Sequence, residues 1–292
     1  ALPEQHSNCQ SRALPVDFFH CPTAKKPFKT AEAPLWQQYK EQQKILNLSV
    51  QGSNRIAKLR QALDQQGIDQ KQLLISVDGS YTNERVLRHL PERVTLIGRV
   101  RKDTKLYCPA KEQPDKGRKR VYGDVLPTPE QIRQSDNYAW HPVLAWAAGK
   151  QHTFHLKVLD QSLWRTVGPH QLLKLVVIRP LGYRLSQKSK ICYRDPAYLI
   201  CTDPQLDLAK LLQAYLWRWE IEVNFHEQKS ILGCGQAQVR NTASAEQVPA
   251  FISAIYAMLL LAAHRSLKVN PDQVLPRPKW YKRKENSRHT TG

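Results

Sequence analysis

One stretch of fifteen residues combines the side chains that phosphate-ester chemistry uses. It covers residues 215–229 and reads YLWRWEIEVNFHEQK. If it forms a single helix, a rotation of about 100° per residue brings four polar side chains to within about 60° of one another. They are Tyr215, Arg218, Glu222 and Lys229. A carboxylate on such a face can hold a hard divalent cation, and cations beside it can neutralise phosphate oxygens. The stretch therefore favours a site for phosphodiester chemistry.

The neighbouring face of the same predicted helix is apolar. Trp217, Ile221 and Phe225 recur every fourth residue, and we expect this side to pack on a core. An ordinary ion pair between Arg218 and Glu222 would explain those two residues equally well. It does not explain the full spacing of tyrosine, arginine, glutamate and lysine.

A second carboxylate follows a predicted buried strand. The apolar run at residues 73–77 ends at Asp78, in the sequence LLISVDGSY. The carboxyl ends of strands are where α/β sheets commonly carry their sites. A turn or capping aspartate would produce the same local pattern. Taken together with Glu222, the position favours a role for Asp78 in one shared site.

These segments resemble a known family. The spacing Tyr-x2-Arg-x3-Glu-x6-Lys, with the strand YLICTD before it and ILGCGQAQVRN after it, is similar to that of the IS-four type insertion-sequence transposases. These enzymes belong to the DDE superfamily. The resemblance extends from about residue 12 to the end of the chain. It implies an α/β fold: an RNase H-like mixed sheet flanked by helices, with a β-rich insertion between the second and third catalytic carboxylates.

The resemblance also implies roles for individual residues. Asp78 would be the second catalytic carboxylate and Glu222 the third, and both would be metal ligands. Transposon-end phosphates would be held by Tyr215, Arg218 and Lys229.

The same resemblance implies the reaction and its partners. A transposase of this family hydrolyses phosphodiester bonds at transposon ends and transfers the freed strands, using Mg²⁺ or, as a substitute, Mn²⁺. The partners would be double-stranded DNA, as terminal inverted repeats and as target. Two copies of the chain would act as a homodimer on this DNA in the bacterial cytosol. Trp217 or Trp219 would stack on an unpaired base, although burial in the core is the more ordinary role for Trp217.

The family pattern includes a first aspartate at the end of an earlier strand. Asp17, in ALPVDFF, is the only candidate in an apolar setting. Residues 11–22 read as a short strand that leads directly to the helices before Asp78, so this strand fits a later position in the opening hairpin. We therefore expect the first strand and its aspartate to precede Ala1. Without that ligand, this chain would cleave DNA weakly or not at all.

Composition is consistent with a polyanionic partner. The chain has 292 residues, with 44 Lys and Arg against 25 Asp and Glu, and a net charge of +19. Ribosomal and membrane-surface proteins share such a balance. The apolar run at 251–263 is too short and mixed to predict a membrane span. The six cysteines show no CxxC spacing, which favours reduced thiols over a zinc site or a disulfide framework. No P-loop, dinucleotide, HExxH or GxSxG motif occurs.

We divide the chain into four segments. Residues 1–100 form the first part of the core and 101–195 the β-rich insertion, while 196–270 complete the core and 271–292 form a basic tail. One helix should run from Pro204, capped by Asp203, to about residue 232. An apolar helix at 248–267 should lie buried against the sheet. The basic stretch at 101–123 is either a solvated loop or a DNA contact, and the tail is a further candidate for contact with DNA.

Two other functions remain open at this point. One is a catalytically dead, DNA-binding remnant of a transposase that uses the same basic surface. The other is a nuclease that is not a transposase but is built on the same RNase H-like core. Magnesium-dependent nicking separates an active enzyme from the remnant. Specific binding to one element's inverted repeats argues against the general nuclease.

Overall fold

A computed structural model of the chain describes residues 12–111, 119–147, 150–183 and 189–269. The chain divides into two compact units. The first unit comprises Ala1–Ala13 and Phe19–Glu227, and the second comprises Leu14–Phe18 and Gln228–Gly292. Segment 271–292 of the sequence-based division lies outside the described residues.

The first unit contains a mixed sheet. Its strands in chain order are β1 (Leu73–Val77), β2 (Val94–Arg99), β3 (Tyr107–Pro109), β4 (Tyr122–Val125), β5 (His141–Ala147), β6 (Lys150–Trp164), β7 (Gly168–Ile178), β8 (Gly182–Tyr183), β9 (Cys192–Tyr193) and β10 (Ala197–Cys201). The order across the main sheet is β1-β2-β10-β7-β6-β3-β4, with β5 also paired to β6, while β8 and β9 form a separate ribbon. Strands β1 and β2 are parallel, and the other pairs are antiparallel. The predicted mixed α/β architecture is confirmed.

The helices are α1 (Ala33–Ile45), α2 (Leu48–Gln65), α3 (Glu84–Leu87), α4 (Pro129–Gln134), α5 (Leu208–Trp217), α6 (Glu220–Ser230) and α7 (Thr242–Val269). A short 3₁₀ turn, Gly79–Tyr81, follows β1. Gly67, with φ of 73°, allows the chain to leave α2 in a left-handed conformation, which is favourable for glycine.

The sheet buries apolar side chains on both faces because successive residues of a strand point to opposite sides. One face includes Leu96, Val177 and Ile200, which pack with residues from α2, α3 and α4. The opposite face includes Ile97, Val176 and Leu199, which pack with residues from α5. Segment 101–195 contains strands β3 to β9, and its strands β6 and β7 are hydrogen-bonded into the same sheet as β2 and β10.

Two predicted elements are wrong. Residues 12–22 contain only an isolated bridge at Arg12, and Asp17 is exposed and outside any strand. This segment has two prolines close together, Pro15 and Pro22, and proline cannot donate to a ladder. The apolar helix, predicted at 248–267 and buried, is instead α7, which is longer and only partly buried. Among its described side chains only Ser253 and Tyr256 are buried.

The exposure of α7 has a second consequence. Within the described residues one helix, Thr242–Ser266, is long and apolar enough to cross a membrane by length and composition, with a mean hydropathy of 1.5 and 11% of the window buried. This helix is longer than the apolar run at 251–263, which is too short on its own to predict a membrane span. A single helix of this kind is by itself weak evidence for a span.

A half-buried acid and base, together with a buried phenol, connect α4 to the sheet. The Glu130 carboxylate accepts hydrogen bonds from Arg133 Nη2 at 2.6 Å, from Arg133 Nε at 2.9 Å and from the hydroxyl of Tyr198 in β10. The bonds from Arg133 lower the pKa of Glu130 to about 2, against the opposing effect of burial. Burial, aided by the bond to Glu130, raises the pKa of Tyr198 to about 12.

This cluster predicts a loss of stability in acid. Because the pKa of Glu130 is lower in the folded than in the unfolded chain, its ionised form stabilises the fold above pH 4.5, and this contribution disappears as the pH falls towards 2. With partial solvent screening, we expect a loss of about 2 kcal/mol from this group. Urea unfolding at pH 5 and pH 3 should show a smaller pH dependence in Glu130→Gln than in the original chain. Asp136→Asn, which neutralises an exposed acid just after α4, should leave the dependence unchanged; equal slopes in all three proteins would contradict the assignment.

Candidate active site

Asp78 lies directly after β1, as predicted, at the carboxyl end of the strand. Its side chain is exposed, and Oδ1 accepts a hydrogen bond from the backbone N–H of Gly79 at 2.7 Å. It therefore caps the 3₁₀ turn, which is the ordinary role considered for it above. Capping occupies one lone pair of the carboxylate and leaves capacity for a further ligand.

Helix α5 crosses the sheet towards the edge at which β1 ends. Strand β10 is antiparallel to β2, so it ends near the start of β2, where Thr202 N donates to Leu96 O at 3.0 Å. Lys174 Nζ then donates to Leu206 O at 2.9 Å, which fixes the turn before the helix. From there α5 runs back across the sheet, and its Leu211 and Leu212 are buried in the apolar cluster on that face. Its carboxyl end and the carboxyl end of β1 thus lie at the same edge.

A hydrogen bond ties this helix to β1. Ser76 Oγ donates to the carbonyl oxygen of Ala214 at 2.9 Å. The backbone is extended at Asp78, with φ of −74° and ψ of 161°, so Asp78 projects to the same side of the sheet as Ser76. Tyr215 follows Ala214 and packs, half-buried, on the same apolar cluster as Leu74. The second predicted carboxylate and the start of the predicted phosphate-binding stretch are therefore neighbours.

The long helix predicted from 204 to 232 is wrong: the chain forms two helices. Asp203 accepts a hydrogen bond from Gln205 N within a turn, and the cap of α5 is Asp207, which accepts from Lys210 N. Arg218 and Trp219 then separate α5 from α6.

Short-range hydrogen bonds tighten the chain at this break. Arg218 N bonds to Tyr215 O and Trp219 N bonds to Leu216 O, both three residues back, and each such residue advances about 120° rather than 100°. Glu220 and Glu222 then lie in the first turn of α6, where acids are favourable. The single polar stripe therefore does not continue straight.

The polar residues of the stripe are divided between the two helix ends. Arg218 is half-buried, and its guanidinium carbon lies 6.0 Å from the ring centroid of Tyr215. Its Nε is buried and has no hydrogen-bond partner within the described part of the chain. Glu222 is exposed in the first turn of α6, and Lys229 is exposed in the last turn of that helix. Seven residues apart, these two share one face of α6.

The apolar face predicted for this stretch does not pack on a core. Trp217 is 37% exposed, Trp219 62%, and Ile221 and Phe225 are each 46% exposed. The prediction assumed one straight helix lying on the sheet, whereas the tight turn at Arg218 changes the direction of the faces after α5. Trp217 is therefore not the core residue we expected, and both tryptophans are accessible to a partner.

The other face of α6 is occupied by the chain's own amino-terminal segment. Asn224 Nδ2 donates to Ala13 O at 2.9 Å, and Arg12 forms an ion pair of 3.2 Å with Glu227. Burial raises the pKa of Glu220, and the nearby Arg12 opposes this shift. Because three residues of α6 face Arg12 and Ala13, the acid that remains exposed in the first turn is Glu222.

The donor set is suitable for a hard cation but is not complete. Asp78 and Glu222 offer exposed carboxylate oxygens, the ligand type that Mg²⁺ prefers. Among the residues that the structure describes, no group of three or more histidine, cysteine, aspartate or glutamate side chains could hold a metal ion. Asp78 lies at the carboxyl end of β1 and Glu222 in the first turn of α6, while Asp17 is outside any strand.

No protein-family model, curated protein or solved structure matches this chain.

Sequence reasoning missed several residues whose environment the fold determines. Lys157, in the alternating run HTFHLKVLD, is only 1% exposed, and the guanidinium of Arg165 lies over the rings of tyrosines from two other strands. No local pattern marks either residue. Of the basic stretch at 101–123, residues 112–118 lie outside the described residues, and the rest includes β3 and the start of β4.

Proposed function

We propose that the chain is the catalytic region of a DDE-type DNA transposase with an RNase H-like core. Its substrates would be the double-stranded terminal inverted repeats of a transposon and a target DNA, bound by two copies of the chain in the bacterial cytosol. The reaction is hydrolysis and transfer of phosphodiester bonds. Support comes from the resemblance of the stretch at 215–229, the +19 net charge and the mixed α/β architecture.

The observation that carries this proposal is the hydrogen bond from Ser76 to Ala214. Ser76 lies 146 positions before Glu222 in the sequence, and Ala214 lies 8 positions before it. The bond nevertheless joins the strand before Asp78 to the helix before Arg218. A transposase of this class requires such convergence, because its carboxylates and its phosphate-binding cations act on one phosphodiester. An isolated capping aspartate and an isolated ion pair would not require it.

Each residue has a separate task in this proposal. Asp78 and Glu222 are the carboxylates for Mg²⁺, which when bound supplies Lewis-acid activation of the phosphodiester and of the attacking hydroxyl. Arg218 and Lys229 neutralise phosphate oxygens of the transposon end. The hydroxyl of Tyr215 donates a hydrogen bond to such an oxygen. Trp219, exposed at the helix break, stacks on an unpaired base beside the cut strand.

The test uses the full reading frame that encodes this chain. A supercoiled plasmid with the element's inverted repeats should be nicked in the presence of Mg²⁺ and remain intact with EDTA. Nicking that does not depend on the repeats would favour the general nuclease. Suppose that the frame supplies an aspartate after an upstream apolar strand, and that the folded protein binds the repeats without nicking the plasmid. This result would refute the transposase and favour the DNA-binding remnant.

Arg218→Ala should weaken binding to DNA in a salt-dependent manner. If its guanidinium neutralises one phosphate, the slope of log affinity against log salt should become shallower by about one. The measurement is fluorescence anisotropy of a labelled inverted-repeat duplex over a salt series in EDTA. Lys40→Ala, which removes one exposed cation from α1, is the matched control and should leave the slope unchanged. An unaltered slope in Arg218→Ala would exclude the phosphate-binding role.

A further inference from the structure

A second basic site lies at the opposite end of the sheet. Arg165 is in the turn between β6 and β7, and its side chain extends over strands β3 and β4. Its guanidinium carbon lies 4.6 Å from the ring centroid of Tyr107 and 5.6 Å from that of Tyr122. The two rings are themselves 5.5 Å apart, at an angle of 56°. One arginine is thus held by two aromatic faces.

The backbone on both sides is shaped for this stacking. Strand register shifts between Tyr107 and Pro109 where β3 pairs with β4. Opposite this irregularity, a Cβ on Gly123 would lie 2.6 Å from the carbonyl oxygen of Pro109, so only glycine allows the strands to approach so closely. This approach brings Tyr122, the preceding residue, beside Tyr107.

A second arginine, Arg88, holds the turn between β6 and β7 by hydrogen bonds. Arg88 Nε donates to Thr166 O at 3.0 Å, and its Nη2 donates to Arg165 O at 3.3 Å. The third nitrogen of Arg88 pairs with Glu84 at 2.7 Å. Because its donors are directed at the turn and at Glu84, Arg88 holds the backbone of Arg165 in place rather than offering a binding group of its own.

This arrangement leaves the binding edge of Arg165 available. Stacking uses the faces of a guanidinium, whereas its five N–H donors lie in its plane and match the oxygens of a phosphate. The side chain is exposed, and within the described residues it has no ion pair. Pre-ordering by the two rings reduces the entropy that binding would otherwise cost.

The surroundings favour a polyanion as the ligand. An open concavity of about 370 Å³ is lined by Tyr107, Tyr122, Arg165 and residues of β4, including Asp124. The described residues 101–111 and 119–125 contain six lysines and arginines against two acids. Such an open, basic and aromatic surface suits the backbone of a nucleic acid better than an enclosed small molecule.

We propose that Arg165, held by Tyr107 and Tyr122, binds a phosphate of a nucleic-acid backbone. Four strands lie between β1 and β3, so this contact is about 24 Å from the edge strand that precedes Asp78. The inference rests on the proposed function in one respect: the nucleic acid at Arg165 is the same DNA duplex that Arg218 contacts. It defines a second anchor that orients the duplex across the sheet.

The test measures binding in EDTA, so that its outcome is independent of cleavage. A fluorescein-labelled 40-bp duplex is titrated with the full chain and with Arg165→Ala, Arg165→Lys and Lys40→Ala. Arg165→Ala should bind about tenfold more weakly, with a salt slope shallower by about one. Arg165→Lys retains the charge but not the planar edge, and should bind with intermediate affinity and an unchanged slope. Lys40→Ala should stay within about twofold of the original chain.

Two results would overturn the proposal. The first is an affinity for Arg165→Ala or Arg165→Lys that equals that of Lys40→Ala. The second is competition by polyglutamate as strong as that by unlabelled duplex, since the site would then accept any polyanion. Thermal melts check folding, and if Arg165→Ala is unstable the decision rests on Arg165→Lys. If the Arg165 variants lose binding and the protein encoded by the full frame does not nick DNA, the transposase is refuted. The binding site at Arg165 is then retained.

Discussion

In the protein encoded by the full reading frame, Glu222→Gln will lower the rate of Mg²⁺-dependent nicking about a thousandfold or more. Binding to the inverted repeats will stay near normal. A metal ligand contributes several kcal/mol of transition-state stabilisation, and each 1.4 kcal/mol corresponds to roughly tenfold in rate. Glutamine retains the shape of the side chain but loses the charge. Because Glu222 is exposed in the first turn of α6, the substitution should not disturb the fold. Initial nicking rates at saturating protein measure the effect, with anisotropy as the readout for binding.

The matched control for this substitution is on the same helix. Glu220→Gln makes the identical chemical change two residues earlier, on the face of α6 that is buried near Arg12 and Ala13. If Glu222 is the ligand, Glu220→Gln should keep nicking within about threefold of the original rate. Retained activity in Glu222→Gln, or equal losses in both variants, would rule out Glu222 as the specific carboxylate.

Lys157→Ala will lower the free energy of unfolding by about 4 kcal/mol, the largest stability effect that we expect in this protein. The ammonium of Lys157 donates to the carbonyl oxygens of Ile132 at 3.1 Å, Arg133 at 3.0 Å and Ser135 at 2.6 Å. It also lies 4.5 Å from the ring centroid of Trp140. These carbonyls are at the carboxyl end of α4, where a positive charge is favourable and unpaired oxygens are otherwise left. Removing the side chain leaves both a cavity and three buried acceptors.

A second substitution separates these two contributions. Lys157→Met fills most of the volume but provides no donor, so we expect a loss of about 2–3 kcal/mol from the unsatisfied carbonyls alone. Lys150→Ala, at the exposed start of the same strand, should change stability by less than about 0.5 kcal/mol. Urea unfolding followed by tryptophan fluorescence measures all three. If Lys157→Met is as stable as the original chain, the hydrogen bonds to α4 do not support the fold.

Local sequence patterns determined the main strands and their roles in the sheet. The run Leu73–Val77 is short, apolar and rich in branched residues, and it ends in Asp78-Gly79, so its identity as a buried strand followed by a turn depends on neighbouring residues alone. The same applies to β10, which overlaps the predicted strand YLICTD. The chemical character of residues 215–229 is also a property of the sequence, because it depends on residue types and spacing.

Tertiary structure decided how these elements present their side chains. The break at Arg218 and Trp219 exposes Trp217 and Phe225, which a continuous helix would direct towards a core. Periodicity describes a straight helix and contains no information about a tight turn within it.

Burial of charge was likewise decided by contacts between distant segments. Lys157 is buried because α4, more than twenty residues earlier, places its carboxyl end over β6. The Arg165 cluster joins residues from β3, β4 and the β6–β7 turn, with 15 positions between Tyr107 and Tyr122 and 43 between Tyr122 and Arg165. A lysine or arginine in an alternating strand normally indicates a solvent-facing position. Only packing against a specific partner turns it into a buried donor or a held binding group, and that partner is set by the order of strands in the sheet.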